Sequence, residues 1–314
     1  MIFASLLPRN VVASASRPVL VWASLVIVAI AGSATAFQLK TGDVSYSWNT
    51  LSRFVMPGET VRFEVGDPDV KCGWAISAGE LQGATESSVD WVVPQEPGTY
   101  AMAANAGDEV KEVNLFVMIP YDSIKNGALH GFRIGRYPKT NPFPSFNLPR
   151  GFIEVTPDNI NTPVSPRYTL AEFVPRQPGS FPKYLVLREE LIRKLELFTD
   201  LIQAKGYKCD KLTIFSGYRT PAYQHQIGGG KNSAHAYGGA ADIFIDHNGD
   251  GMMDDLNRDG SCDSGDSKLL ARLVDELESD YPDLVGGCGW YRRTRARGPF
   301  IHIDVRGEPM RWHQ

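Results

Sequence analysis

The chain has 314 residues, about twice the length of an ordinary domain, so we expect about two folded domains. Apolar residues make up 43% of the sequence, with 30 glycines and 21 prolines, which indicates a loop-rich globular protein with a sizeable core. The net charge of −4 argues against a general nucleic-acid binder, and four cysteines without a C-x-x-C pair argue against a thiolate zinc site.

The first 36 residues have the pattern of an export signal. Residues 19–31 are apolar apart from Ser24, Arg9 and Arg17 precede them, and small residues lead to a predicted cleavage position after Ala36. The run is short for a membrane helix, although residues 18–36 would be long enough for an uncleaved anchor. We therefore expect residues 1–36 to be a signal peptide or a membrane anchor, and the rest to reach an oxidising compartment where disulfides are permitted.

Residues 37–120 carry short alternating strands separated by turn signals such as Pro57-Gly58 and Pro97-Gly98. This pattern predicts a small all-β sandwich that is immunoglobulin-like. The segment around Tyr100 resembles the tyrosine corner of such domains, but Met102 stands where an antibody domain has its second cysteine. No residue here indicates catalysis, so we expect a spacing or docking role.

The remainder of the chain divides into a connector and a second domain. Residues 121–182 are rich in proline and aromatic residues, which predicts an ordered connector packed on the domain that follows. Residues 183–314 are predicted to form an α+β domain with an antiparallel sheet, with strands at 212–215 and 300–305 and a helix after Ser267. An earlier helix, ended by Gly206, is predicted from apolar residues at helical spacing: Leu187, Leu191, Leu195, Phe198 and Ile202.

His235, Asp242 and His302, which we call the His–Asp–His group, are candidate metal ligands. Two glycines between His235 and Asp242 allow a sharp reversal, so both side chains can face one point. His302 lies on the last strand and shares a face with Phe300 and Asp304. Two imidazoles and one carboxylate leave a fourth position for water, as in a catalytic zinc site, although the spacing of His235 and Asp242 alone also fits a structural hydrogen-bonded pair.

The strings around these residues are more specific than their spacing. Residues 233–242, SAHAYGGAAD, fit S-x-H-x-x-G-x-A-x-D, and residues 216–221, SGYRTP, fit S-G-Y-R-[ST]-P. Residues 300–304 with Arg311-Trp312 are similar to the closing strand of murein endopeptidases. Over residues 150–314 the chain resembles the zinc D-alanyl-D-alanine carboxypeptidase and murein endopeptidase family, whose fold is shared with phage endolysins and the hedgehog signalling domain.

The resemblance implies roles for individual residues. The His–Asp–His group would bind zinc, and Arg219 would polarise the scissile carbonyl and hold the developing oxyanion. Tyr218 and Ser233 would orient ligands or bind substrate, although a serine that caps a turn fits Ser233 equally well.

The general base is not identified by the resemblance. Many family members have Glu or Asp where this chain has Pro299, and others have a histidine where it has Phe300. Asp304 is the nearest acid in sequence. We expect it either to accept a proton from the metal-activated water or to orient a zinc-ligand imidazole.

The segment after Asp242 predicts a second metal. Residues 246–266 form an insertion with oxygen ligands at regular spacing and glycines at sharp turns, which resembles the calcium repeats of thrombospondin more than an EF-hand. We therefore predict a structural calcium site, with a solvated acidic loop as the alternative. Its candidate ligands are Asp246, Asn248, Asp250, Asp254, Asn257, Asp259, Asp263 and Asp266.

The sequence therefore predicts an exported zinc metallopeptidase of the bacterial periplasm or cell envelope that hydrolyses peptidoglycan. It leaves open whether the enzyme is a murein endopeptidase or a D,D-carboxypeptidase, although the closing strand favours the former. The alternatives are a non-catalytic zinc-containing cell-wall binding module and a calcium-dependent adhesin that uses the β-sandwich. Peptidoglycan is the expected partner, nucleic acid is not, and Cys262–Cys288 and Cys72–Cys209 are tentative disulfides.

Overall fold

The computed structural model describes residues 37–139, 143, 145–295 and 297–314. The predicted signal peptide or anchor, residues 1–36, lies outside these residues and stays a prediction. Within the described ranges, no helix is both long enough and apolar enough to cross a membrane.

The N-terminal part consists of two sheets that enclose one hydrophobic core. The first sheet contains, in spatial order, β2 (Val44–Tyr46), β1 (Leu39–Thr41), β4 (Thr60–Val65), β7 (Ser88–Val92) and β6 (Glu80–Gln82). The second contains β3 (Thr50–Val55), β9 (Glu109–Val117), β8 (Gly98–Ala106) and β5 (Gly73–Ile76), with β3 and β9 parallel. Alternation buries one face of each strand, so that Phe63 and Trp91 from one sheet share the core with Leu115 from the other. The hydroxyl of Tyr100 donates to the carbonyl of Glu96 at 3.0 Å, while the immunoglobulin-like assignment itself stays a prediction.

The connector contributes strands to the second half of the chain. A three-stranded antiparallel sheet contains β10 (Ile119–Pro120), β13 (Gly151–Val155) and β14 (Lys183–Leu185), and β11 (Ala128–Leu129) pairs with β12 (Phe132–Arg133) as a short hairpin. Aromatic side chains of this segment, including Tyr137, Phe152 and Phe173, are buried in the same hydrophobic cluster as the residues that follow. The predicted division of the chain into four segments stays a prediction.

Three α-helices flank the second half: α1 (Glu189–Ala204), α2 (Pro221–Gln226) and α3 (Ser264–Asp280). The predicted helix is confirmed as α1, where Leu191, Leu195 and Phe198 face the core, but Leu187 precedes it. The second predicted helix begins earlier than expected because Asp263 caps its first turn by accepting a hydrogen bond from the amide of Gly265.

The sheet that carries the candidate site has five strands. In spatial order they are β15 (Thr213–Ser216), β16 (Ala240–Phe244), β18 (Phe300–Asp304), β17 (Gly287–Tyr291) and β19 (Met310–His313). The first four are antiparallel and β19 is parallel to β17. The second half is therefore α+β with a mainly antiparallel sheet, as predicted.

The tentative disulfides are wrong. All four cysteines are free thiols in the structure, and Cys72, Cys209 and Cys288 are buried. The thiol of Cys262 lies 2.5 Å from the carbonyl oxygen of Met253 and does not face another sulfur. Export only permits disulfides, and the sequence carries no information on which sulfurs meet.

Candidate metal centre

The His–Asp–His group forms a compact cluster at the middle of this sheet. Ligand atoms of His235, Asp242 and His302 all lie within 4.8 Å of one another, and all three residues are buried. Asp242 and His302 are opposite each other on β16 and β18. His235 lies on a short 3₁₀ helix, Ala234–Tyr237, that leads into β16.

A left-handed turn makes the reversal between His235 and Asp242. Gly238 has φ of +69°, and a Cβ atom there would lie only 2.4 Å from the carbonyl oxygen of Val186. Glycine therefore satisfies both the backbone conformation and the close approach. The turn brings Nε2 of His235 to 3.2 Å from Oδ1 of Asp242 and 3.1 Å from Nδ1 of His302.

The imidazole of His235 is held with one nitrogen facing the cluster. Its Nδ1 donates to the carbonyl of Gly217 at 2.7 Å, since a carbonyl oxygen can only accept. Burial lowers the pKa of His235, which favours the neutral ring with a lone pair on Nε2. Neutral imidazole is the form that binds metal ions.

Asp242 is held as a carboxylate. Burial opposes its ionisation, but His235, His302 and Arg219 together keep its pKa well below the ordinary value. Arg219 forms an ion pair with Oδ2 of Asp242, and its Nε donates to the hydroxyl of Ser216 at 2.8 Å. The side chain of Arg219 is 17% exposed, so the guanidinium lies at the wall of the cleft beside the cluster.

Asp304 contacts the side of the His302 ring that points away from the cluster. Its Oδ2 lies 3.0 Å from Nε2 of His302, whereas Nδ1 of the same ring is 3.0 Å from Asp242. Asp304 is fully buried and also accepts hydrogen bonds from Arg306 and from the amide of Gly287. These donors, with His302, outweigh burial and keep the pKa of Asp304 far below its usual range.

Ser233 and Tyr218 occupy different environments. Ser233 precedes the 3₁₀ helix and lines the cleft. Tyr218 is 2% exposed, and its hydroxyl lies 3.1 Å from that of Tyr137 in the core. This position does not favour contact between Tyr218 and a substrate.

Two aromatic residues at the site were not predicted as functional. Tyr291 on β17 lines the cleft, stacks on Phe300 with ring centroids 4.4 Å apart, and accepts a hydrogen bond from Nε1 of Trp312 at 2.8 Å. The Trp312 ring lies 5.2 Å from the ring of His302. Gly289 makes room for it, because a Cβ atom there would lie 2.3 Å from the indole.

Tyr291 keeps its own proton. Burial is the main cause that raises the pKa of Tyr291, so the phenol is neutral near pH 7. The indole N–H of Trp312 can only donate, which leaves the Tyr291 O–H free to donate into the cleft. Sequence alone gave no signal for this residue, because its position depends on the pairing of β17 with β18.

The structure does not support the predicted calcium site. Within the described ranges, the His–Asp–His group is the one set of three His, Cys, Asp or Glu ligand atoms that lie within 4.8 Å of one another. The loop carboxylates instead accept backbone hydrogen bonds, as Asp246 does from Gly251 at 3.0 Å. The same contact recurs nine residues later between Asp255 and Gly260 at 2.8 Å, so the repeat includes Asp255, which is not among the predicted ligands.

Other predicted calcium ligands also have local partners. Asp254 accepts from the amide of His247, and the buried Asp266 accepts from the amides of Leu256 and Asn257. Such turns explain the spacing of acids and glycines without an ion, because Asx side chains satisfy the backbone donors of sharp turns. Asn248, Asp250, Asp259 and Asp263 likewise accept amide hydrogen bonds within the insertion.

The fold and the cluster together define a candidate metal-dependent hydrolase, because three buried ligands face an open cleft beside a cation. Residues 173–265, which lie in the C-terminal half of the chain, match the model of the Peptidase M15 family. The match includes Arg219, His235 and Asp242, while His302 lies beyond it. The match supports a metallopeptidase, and no curated protein matches the chain.

Proposed function

We propose that the protein is a zinc-dependent peptidase that hydrolyses peptide bonds in peptidoglycan stem peptides or their cross-links. The observation that carries this proposal is the convergence of His235, Asp242 and His302 at the wall of a cleft of about 780 Å³. The M15 match supports peptide hydrolysis, while the choice of peptidoglycan depends on the resemblance of the sequence motifs.

The donor set fits zinc. Two imidazole nitrogens and one carboxylate oxygen are the ligands that zinc takes in catalytic sites, and a fourth position can face the cleft. Nε2 of His235, Nδ1 of His302 and a carboxylate oxygen of Asp242 would bind the ion. When bound, zinc supplies the Lewis acidity that polarises a carbonyl group and activates water.

Arg219 and Tyr291 would stabilise charge on the substrate. Hydrolysis of an amide places negative charge on the carbonyl oxygen, and fixed donors aimed at that oxygen lower the barrier. The Arg219 guanidinium is restrained by Ser216 and Asp242. The Tyr291 hydroxyl has a free proton on the same cleft.

Asp304 would act as a positioning residue. It contacts the ring of His302 on the side remote from the cluster and is fully buried, so it is poorly placed to take a proton from water in the cleft. Among the described residues that line the cleft, Asp242 is the one carboxylate. This geometry favours the orienting role for Asp304 over the role of general base.

The location and the bond specificity are further parts of the proposal. We propose export to the bacterial periplasm or cell envelope, with residues 1–36 as a signal peptide or a membrane anchor. We also propose endopeptidase activity ahead of carboxypeptidase activity. The support is that the cleft adjoins a second cavity through Arg297 and Phe300, so that substrate residues could lie on both sides of the metal centre.

The direct test is digestion of defined muropeptides by the purified protein, followed by product masses. We expect new products with the zinc-loaded protein, none after chelation, and recovery when zinc is restored. A His302→Ala variant should give none under any condition. Binding to intact sacculi without any product would instead support the zinc-containing binding module, which the absence of a second carboxylate among the described residues that line the cleft also favours.

A further inference from the structure

The face of the sheet that carries the metal ligands continues into an aromatic surface. Phe244 follows Asp242 by two residues on β16, and Phe300 precedes His302 by two residues on β18. Because side chains alternate along a strand, both phenylalanines lie on the ligand face, about 6.7 Å further along their strands. The antiparallel register places both at the same end of the sheet, where Phe215 of β15 packs edge-on against Phe300 with ring centroids 4.7 Å apart.

This aromatic surface is the floor of a second cavity of about 400 Å³. Residues 251–253 of the insertion and residues 297–299 form its other walls. Arg297 and Phe300 line both this cavity and the cleft of the metal centre, so the two are neighbours. A peptide bound across the metal centre would therefore place its next residues over the aromatic floor.

Two guanidinium groups border the cavity, and no Asp or Glu is among its described lining residues. In the part of the chain that the structure describes, neither Arg176 nor Arg297 has a carboxylate partner. Arg297 lies over the ring of Phe300 with its guanidinium 4.4 Å from the ring centroid. The nearby acids Asp250 and Asp254 accept hydrogen bonds from backbone amides of their own loop.

The backbone at Arg176 is restrained although its side chain is exposed. Nζ of Lys183 donates to the carbonyls of Pro175 and Gln177, at 3.1 and 2.9 Å, on either side of Arg176. The side chain of Gln177 accepts from Thr220 at 2.5 Å. The restrained backbone of Arg176 and the position of Arg297 over the Phe300 ring therefore place two positive charges at the border of this cavity.

We infer that this cavity is a substrate subsite for a residue that carries a carboxylate on an apolar body. The guanidinium groups of Arg176 and Arg297 would bind the carboxylate, for which the planar fork of arginine is suited, and the phenylalanine rings would contact the aliphatic part. The inference rests on the proposed function and specifies it further: substrates with free carboxylates next to the scissile bond are preferred over their amides.

The test compares two cross-linked muropeptide dimers that differ only in whether the side carboxylates of their stem peptides are free or converted to primary amides. We expect the wild-type protein to cleave the acid dimer with a KM about tenfold lower than that for the amide dimer. Arg176→Gln and Arg297→Gln should each reduce this preference severalfold. Arg295→Gln, an exposed arginine of the same loop outside the cavity, is the matched control and should keep it.

Calorimetric titration of both dimers in the presence of a zinc chelator measures binding at the subsite without any cleavage, so it tests the subsite independently of the proposed activity. Tighter binding of the acid dimer, lost in Arg297→Gln, supports the subsite even if wild-type protein cleaves neither dimer and the proposed function fails. Equal cleavage and equal affinity for the two dimers overturn the subsite while the proposed function stands. An unchanged preference in both cavity variants, or an equal loss in Arg295→Gln, also overturns it.

Discussion

Asp242 and His302 face each other across neighbouring antiparallel strands, with Oδ1 of Asp242 3.0 Å from Nδ1 of His302. Their pairing brings together two of the three candidate metal ligands from positions that are 60 residues apart in the chain. A shift of one residue in this register would replace His302 by an isoleucine that now faces the core. The hydrophobic alternation of β18 therefore also fixes the position of a metal ligand.

Replacing Asp242 by asparagine should weaken zinc binding by more than about 100-fold, because even partners that only orient a ligand change affinity by 10–100-fold. The amide keeps the shape of the side chain but removes the charge that Arg219, His235 and His302 face. Zinc per molecule after dialysis measures the effect. Asp210→Asn, whose side chain is 94% exposed, is the control, and wild-type zinc content in Asp242→Asn would contradict the assignment.

Asp304→Asn should reduce the affinity for zinc about 10–100-fold. At saturating zinc, the variant should keep much of the wild-type turnover. The reason is that Asp304 holds the ring of His302 from the side remote from the cleft. Turnover measured against zinc concentration tests this. A large loss of turnover at saturating zinc, with unchanged zinc affinity, would indicate the general-base role instead.

Tyr291→Phe should lower kcat by about 100-fold, the scale for removing one oxyanion donor, with little change in KM or zinc content. The substitution deletes only the hydroxyl and keeps the stacking on Phe300. Tyr281→Phe, whose ring contacts Arg193 and does not line the cleft, should leave kcat unchanged. Comparable kcat values for the Tyr291 variant and the wild type would exclude Tyr291 from the chemistry.

Lys194→Met should destabilise the fold by about 1–3 kcal/mol, because it leaves the carbonyls of Leu284 and Asp304 without their buried donor, while Glu278 keeps its ion pair with Arg311. Lys194 is fully buried, and its Nζ donates to Glu278 at 2.5 Å and to the carbonyl of Asp304 at 2.8 Å. Denaturation in urea measures the free energy of unfolding. Lys205→Met, which removes the half-exposed ion pair with Glu276, should cost less than about 1 kcal/mol, and equal losses would refute the argument.

The candidate metal ligands could be selected from sequence because the strings around them resemble those of a zinc peptidase family, whereas their spacing alone also fits a structural hydrogen-bonded pair. The glycines before Asp242 signal a reversal, and the alternation of residues 300–304 gives His302 a face. The core positions of α1 follow in the same way from the 3.6-residue period. The reversal, the face of His302 and the core positions of α1 depend on neighbours within a few residues along the chain, whereas the contact between His302 and Asp242 depends on the pairing of β16 with β18.

Features that depend on pairing between distant segments could not be predicted. Tyr291 reaches the cleft only through the register of β17 with β18. Arg176 borders the same cavity as Arg297 only because of how the connector folds. For Asp304, strand alternation gave the shared face with His302, but only coordinates show which nitrogen it contacts. The calcium prediction is not supported, because acids and glycines at fixed spacing serve sharp turns as well as cations.

Lys194 of α1 connects that helix to the strand of the candidate metal centre. Its Nζ donates to the carbonyl of Asp304 on β18, and the same strand carries His302. If heating loosens the packing of that helix, the His302 imidazole loses its restraint at the same temperature at which the tertiary structure is lost. Heating should therefore expel the ion and melt the domain in a single cooperative event, and zinc in excess should raise the midpoint temperature of both together.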